Sequence, residues 1–317
     1  MDHSGHGMTM DLPPFTLGRG LQWSADPFFL VACVLGLALY GFGVLRLRRR
    51  GDSWPVARTV SFTVGVLTIA LMMCTALNDY GMVMFSVHMV QHMIISMLSP
   101  ILLLLGAPVT LALRALPVAG RGRKGPRELL LAVLHSRYMR IVTHPAFTIP
   151  MFIASLYGLY FTPLFDTLMG SRTGHVVMMI HFLAVGVAFF WPIIGVDPGP
   201  HRPGHLMRML ELFAGMPFHA FFGIALMMAS APMVKTFEHP PASLGLDALS
   251  DQNAAGGIAW AFSEVPSVLV LIALLFQWYA SEKRQAKRSD RAADRDGDQE
   301  LEAYNAYLAS LNARGGG

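Results

Sequence analysis

The residues best placed to do chemistry lie in the run Phe85-Ser-Val-His-Met-Val-Gln-His-Met-Ile-Ile-Ser-Met-Leu-Ser-Pro100. On a helix turning 100° per residue, His88, Gln91, His92, Ser96 and Ser99 share one arc of roughly 140°. His88 and His92 are four apart, so both imidazoles can reach one metal ion from a single helix. The same spacing also suits hydrogen bonds between helices. Three further ionisable groups sit inside apolar runs: His181, His219 and Glu264. The surroundings are soft. Cys33, Cys74, Met72, Met73, Met82, Met84, Met178, Met179, Met227, Met228 and Met233 lie near the same ends of their runs. Imidazole with thioether or thiolate favours copper, and Met and Cys favour Cu(I). The chain opens Met1-Asp-His-Ser-Gly-His-Gly-Met-Thr-Met10, where His3, His6, Met8 and Met10 have no apolar core to fill and read as an accessory copper collector. Most buried Met, by contrast, needs no role beyond filling irregular cores.

These groups need elements to hold them, and the composition says which kind. Of 317 residues 54% are apolar and 14% charged, with a mean hydropathy of +0.48. Soluble domains carry about 25% charge, so a polytopic membrane protein is expected. The net charge of +4 is too small to point to nucleic acid, and two cysteines make no disulfide framework. A spanning helix needs roughly 20 apolar residues, and seven such runs are found: 28–45, 60–78, 85–105, 146–163, 175–195, 207–230 and 257–280. The fold class expected is therefore all-α, a seven-helix transmembrane bundle. Met1 to Asp11 has no basic residue and no apolar stretch, so no leader is expected there.

Orientation follows from Lys and Arg. Of 24, only Arg19, Arg172 and Lys235 fall on the side of the N-terminus and the loops near 79–84, 164–174 and 231–256; 21 fall on the other. The N-terminus is expected outside and the C-terminus in the cytoplasm. The chain then divides into a His/Met-rich tail (1–27), the membrane domain (28–280) and a charged cytoplasmic tail (281–317) with a short amphipathic helix. With helix rise at 1.5 Å per residue, His92, His181 and Glu264 lie about 10 Å below the outer surface and His219 about 16 Å. Ionisable groups at such depth are costly and mark function. Glu264 could balance an ion's charge, and Gln91 or Glu264 could orient a ligand imidazole. Three readings stay open: a copper-handling factor, a b-type cytochrome with two axial histidines, and a coupled transporter. The last would want polar groups continuing into the inner halves of the helices, which are nearly free of charge. His135, His144, His201, His205 and His239 fall in loops or near helix ends and take no role. No nucleophile, acid–base pair or phosphate-binding loop stands out, so no enzymatic activity is expected.

The order of several short motifs resembles the CtaG family of cytochrome c oxidase assembly factors. They are His88-Met-Val-Gln-His-Met93, Ser99-Pro-Ile-Leu-Leu-Leu-Leu-Gly-Ala-Pro108, Thr162-Pro-Leu-Phe-Asp166, His181-Phe, Trp191-Pro-Ile-Ile-Gly-Val-Asp-Pro198, Met216-Pro-Phe-His-Ala-Phe-Phe-Gly223, Asp251-Gln, Gly256-Gly257, Trp260 and Glu264-Val-Pro266. The tail, through Glu302-Ala-Tyr-Asn-Ala-Tyr-Leu308, looks like the actinobacterial branch. The resemblance implies a seven-helix protein of the cytoplasmic membrane that helps copper reach a caa3-type oxidase. Its partners would be oxidase subunits, an extracytoplasmic copper donor and the lipid bilayer. Its functional positions would map onto His88, His92, His181 and His219.

Overall fold

The computed structural model describes residues 12–120, 123–200, 203–296 and 299–315; His3, His6, Met8 and Met10 lie outside them. The regular structure among the described residues is helical, apart from one isolated bridge between Trp23 and Thr75. The principal helices are α1 (Pro27–Arg49), α2 (Val56–Met73), α3 (85–105), α4 (Pro145–Tyr160), α5 (Arg172–Ile194), α6 (His205–Met228), α7 (Ala248–Asp296) and α8 (Gln299–Gly315). Six of them, α1, α2, α3 (run on to Ala115), α5, α6 and α7, are long and apolar enough to cross a bilayer. A seventh span exists if α4 and Leu164–Met169 are one broken span, since the pair bends by 74° around Pro163. Two compact units result, Met1–Val270 and Leu271–Gly317, with α7 continuous through the division rather than ending at 280.

Within the first unit the connections sort into two ends. At one end, Asp79 accepts a hydrogen bond from Ser24 (2.5 Å) and pairs with Arg172, Tyr80 donates to the Pro13 carbonyl (2.9 Å), and Asp166 accepts from the Thr236 N–H (2.9 Å) and hydroxyl (2.7 Å). These tie together the chain before α1 and the connections α2–α3, α4–α5 and α6–α7. At the other end, Tyr40 donates to the Gly106 carbonyl (2.8 Å), and Asp52 pairs with Arg114 (3.6 Å). Asp197 there caps the helix Pro108–Ala115 through Val109 N (3.2 Å) and Thr110 N (2.7 Å). Burial pushes the Asp197 carboxyl above the usual aspartate range despite those bonds.

α3 packs between α2 and α5 and is not a plain α-helix. A π turn occupies Ile94–Leu98, with the Ser99 N–H bonded to the Ile94 carbonyl. Pro100 explains it. Proline has no N–H for the Ser96 carbonyl and its ring crowds that carbonyl, so the backbone widens there. Gly186 on α5 meets the freed Ser96 carbonyl directly, and a Cβ at 186 would overlap it. The 100° arithmetic therefore holds from Phe85 to Met93 and slips beyond it.

Candidate metal centre

Asp251, at the start of α7, fixes where α3 begins. Its carboxylate accepts from the N–H of Phe85 (2.6 Å) and Ser86 (3.2 Å) and from the Ser86 hydroxyl. From that start the first two turns carry His88 and His92 into the bundle, at 0% and 2% exposure. The Ser171 hydroxyl caps α5 by accepting from Gly174 N (3.0 Å), and the Arg172–Asp79 pair lies one turn above His175. α6 brings in His219, and α4 is tethered beside it by the Tyr157 hydroxyl on the Phe218 carbonyl (2.8 Å).

Four imidazoles result, arranged as two pairs. His88 and His175 have ring centroids 5.8 Å apart; His92 and His219 are 5.9 Å apart. Aromatic rings wall them in. Phe165 stands edge-on to His88 at 5.1 Å, Phe182 edge-on to His92 at 4.1 Å, Tyr160 near both, and Phe152 5.0 Å from His219. His88 has at most one ring nitrogen engaged, by the Gly81 backbone carbonyl, while both ring nitrogens of His92 and His175, and Nε2 of His219, are buried without a hydrogen-bond partner. The Tyr160 hydroxyl, Ser96 Oγ and Gln91 Oε1 are in the same state, although Gln91 Nε2 donates to the Met72 carbonyl (2.9 Å). Leaving a buried polar atom unpaired costs about 1–3 kcal/mol, so such a concentration is expensive as core and reasonable as a binding chamber. Among the described residues no three His, Cys, Asp or Glu side chains meet as a metal-holding group. The ligands available are pairs of imidazoles.

The sequence-derived set divides accordingly. His88, His92 and His219 come together, with Gln91 buried beside them. His181 does not join: it is exposed, its Nε2 bonded to Ser155 Oγ at 2.9 Å. Its place is taken by His175, which the sequence reading used only to mark a helix start. Six residues separate the two, so they face α5 directions about 120° apart, and the buried face runs through His175, Met178, Met179, Phe182 and Gly186. Glu264 is exposed; the enclosed face of α7 carries Ser263 and Ser267 instead. Cys33 and Cys74 are buried free thiols, and Met84 and Met178 are buried too. The inner halves are also less bare than the charge pattern implies. Arg208 and Glu211, inside α6, are buried, and the Arg208 guanidinium caps α5 through the carbonyls of Ile193 and Ile194 (2.5 Å each).

The chain is similar, at 47% identity over 313 residues, to uncharacterized proteins of Mycobacterium bovis and Mycobacterium tuberculosis, and at 44% over 312 residues to one of Mycobacterium leprae. Each alignment covers 96% of this chain and 47% of the relative, so the chain spans about half the length of the curated relatives it matches. No solved structure matches it. Residues 38–281, which hold all four buried histidines, match the family model of the cytochrome c oxidase caa3 assembly factor, and the chain belongs to that family.

Proposed function

We propose that this chain carries Cu(I) during assembly of a haem–copper cytochrome c oxidase. The N-terminus and the histidine chamber face the outer side of the cytoplasmic membrane, and the chain crosses it seven times. The observation that supports this most is the set of buried imidazole nitrogens without hydrogen-bond partners. His92 and His219 hold the ion, with His88 one turn away; His3, His6, Met8 and Met10 gather it outside. The oxidase subunit receives it, and an extracytoplasmic donor supplies it. The close aromatic walls favour a small ion over a porphyrin, which needs an open slot between its axial imidazoles. Neutral nitrogen and sulfur donors suit a monovalent soft ion.

In cells carrying only the His88→Ala/His92→Ala chain, the oxidase is expected to lose activity and copper while its haem content stays normal. Oxidase with full copper and full activity in those cells would overturn the intramembrane site. No copper binding by the purified unsubstituted chain, combined with a lasting oxidase defect in the variant cells, would favour a metal-free scaffold.

A further inference from the structure

We infer that His88 and His175 form a second Cu(I) station above the His92–His219 pair, so that the ion descends the bundle in two steps; this rests on the copper reading above. An imidazole nitrogen binds a metal at about 2.0 Å, so two rings sharing one ion place their centroids about 5 to 6 Å apart. The two pairs meet that spacing independently, at 5.8 and 5.9 Å. The outer pair keeps nitrogens to offer: one nitrogen of His88 faces the Gly81 backbone carbonyl, while its other nitrogen and both of His175 are buried without a partner, and both residues are 0% exposed.

Met84 precedes His88 by four residues and Met178 follows His175 by three, spacings from which a thioether can reach the side its histidine faces, and both are buried. With no third His, Cys, Asp or Glu joining among the described residues, the pair lacks the four-coordinate shell that zinc takes. Cu(I) accepts two imidazoles with a thioether. Arg172, one turn above His175, would repel a cation if bare, and its pairing with Asp79 neutralises it.

Transfer between stations is ligand exchange at constant charge. His88 and His92 are one turn apart, about 6 Å along the axis. The ion keeps its bond to His88 while the bond to His175 breaks and one to His92 forms. It then exchanges His88 for His219. No proton or electron moves.

The test uses the full chain in detergent, with His3→Ala, His6→Ala, Met8→Leu and Met10→Leu to silence the tail. Cu(I) is titrated anaerobically against a chromogenic Cu(I) chelator. Two ions per chain are expected in that background, one after His175→Leu, and one after His92→Ala/His219→Ala. His175→Met, nearly the same size as leucine but a soft ligand, is expected to restore the second ion. X-ray absorption of the His92→Ala/His219→Ala chain should show copper bound by few nitrogen or sulfur atoms. Two ions retained in His175→Leu, or a background chain that binds a single ion insensitive to His175, overturns the outer station and leaves the copper reading standing. No tight Cu(I) in any chain overturns both. Should His175→Leu fail to fold, the absorption spectrum of the double variant still decides: no copper there removes the station.

Discussion

One carboxylate sets the height of the whole chamber. Asp251 receives two backbone N–H groups and a hydroxyl from the first residues of α3, satisfying donors that a helix start leaves open. Its charge also faces the positive end of that helix. Asp251→Ala is expected to lower unfolding stability in detergent by about 1–3 kcal/mol, and Asp251→Asn by less, since the amide oxygen still accepts. Thermal unfolding checks the order; an alanine variant no weaker than wild type would remove the cap from the account. Asp251 was legible only as part of a resemblance, because its partners lie 165 and 166 residues away. His88, His92 and His219 were legible from depth and spacing, which fix the helix face without knowing the neighbours. His175 was not, since it stands beside Arg172 at a helix start, where sequence reads as a boundary. Its burial comes from Leu164–Met169, the helix that turns by 74° and packs against α5. Glu264 misled because depth was judged without face: Ser263, Ser267 and Val270 point inward, which turns 264 away.

Helices were the easy part of the reading, since apolar runs near bilayer length admit few alternatives. Their internal breaks were harder. The π turn follows from Pro100 only once Gly186 is known to stand opposite, because the widened backbone needs a neighbour without a Cβ. Gly186→Ala is expected to destabilise by about 1–3 kcal/mol, as an added methyl in a filled core does. Gly36→Ala, where a Cβ meets nothing within 4 Å, should be neutral or gain up to about 1 kcal/mol from helix propensity. Equal effects of the two in a detergent melting series would deny the close approach of α3 and α5. The short helix Pro126–Leu134 allows a pH test of the same kind. Glu128 accepts from Ala119 N and Gly125 N, both at 3.1 Å, and those N–H groups, with Arg127 nearby, hold its carboxyl below the usual glutamate range. A depressed carboxylate stabilises above its unfolded value and stops doing so as pH falls through its folded one. Amide exchange at Ala119 and Gly125 should therefore stay slow through the ordinary glutamate range and quicken only in more acidic solution. In Glu128→Gln that acid step should vanish.

For the molecule as a whole, the decisive asymmetry is charge. Hydrogen bonds collect the chain before α1 and the connections α2–α3, α4–α5 and α6–α7 at the end where α3 and α5 begin, a few residues from His88 and His175. Few lysines and arginines belong to those segments in the sequence: Arg19, Arg172 and Lys235, of 24. Basic side chains near spans stay on the cytoplasmic face, so the chamber should open outward, where an ion arriving from outside meets His175 before His92. Two single-cysteine chains test this, each built with Cys33 and Cys74, both buried, replaced by alanine. A membrane-impermeant thiol reagent applied to intact cells should label Glu238→Cys, on the chamber end, and leave Ser53→Cys, at the opposite end, untouched until the membrane is opened; both positions are exposed. The reverse pattern would put the chamber mouth in the cytoplasm. Copper would then have to come from inside the cell, and the tail histidines and methionines could not be its collector.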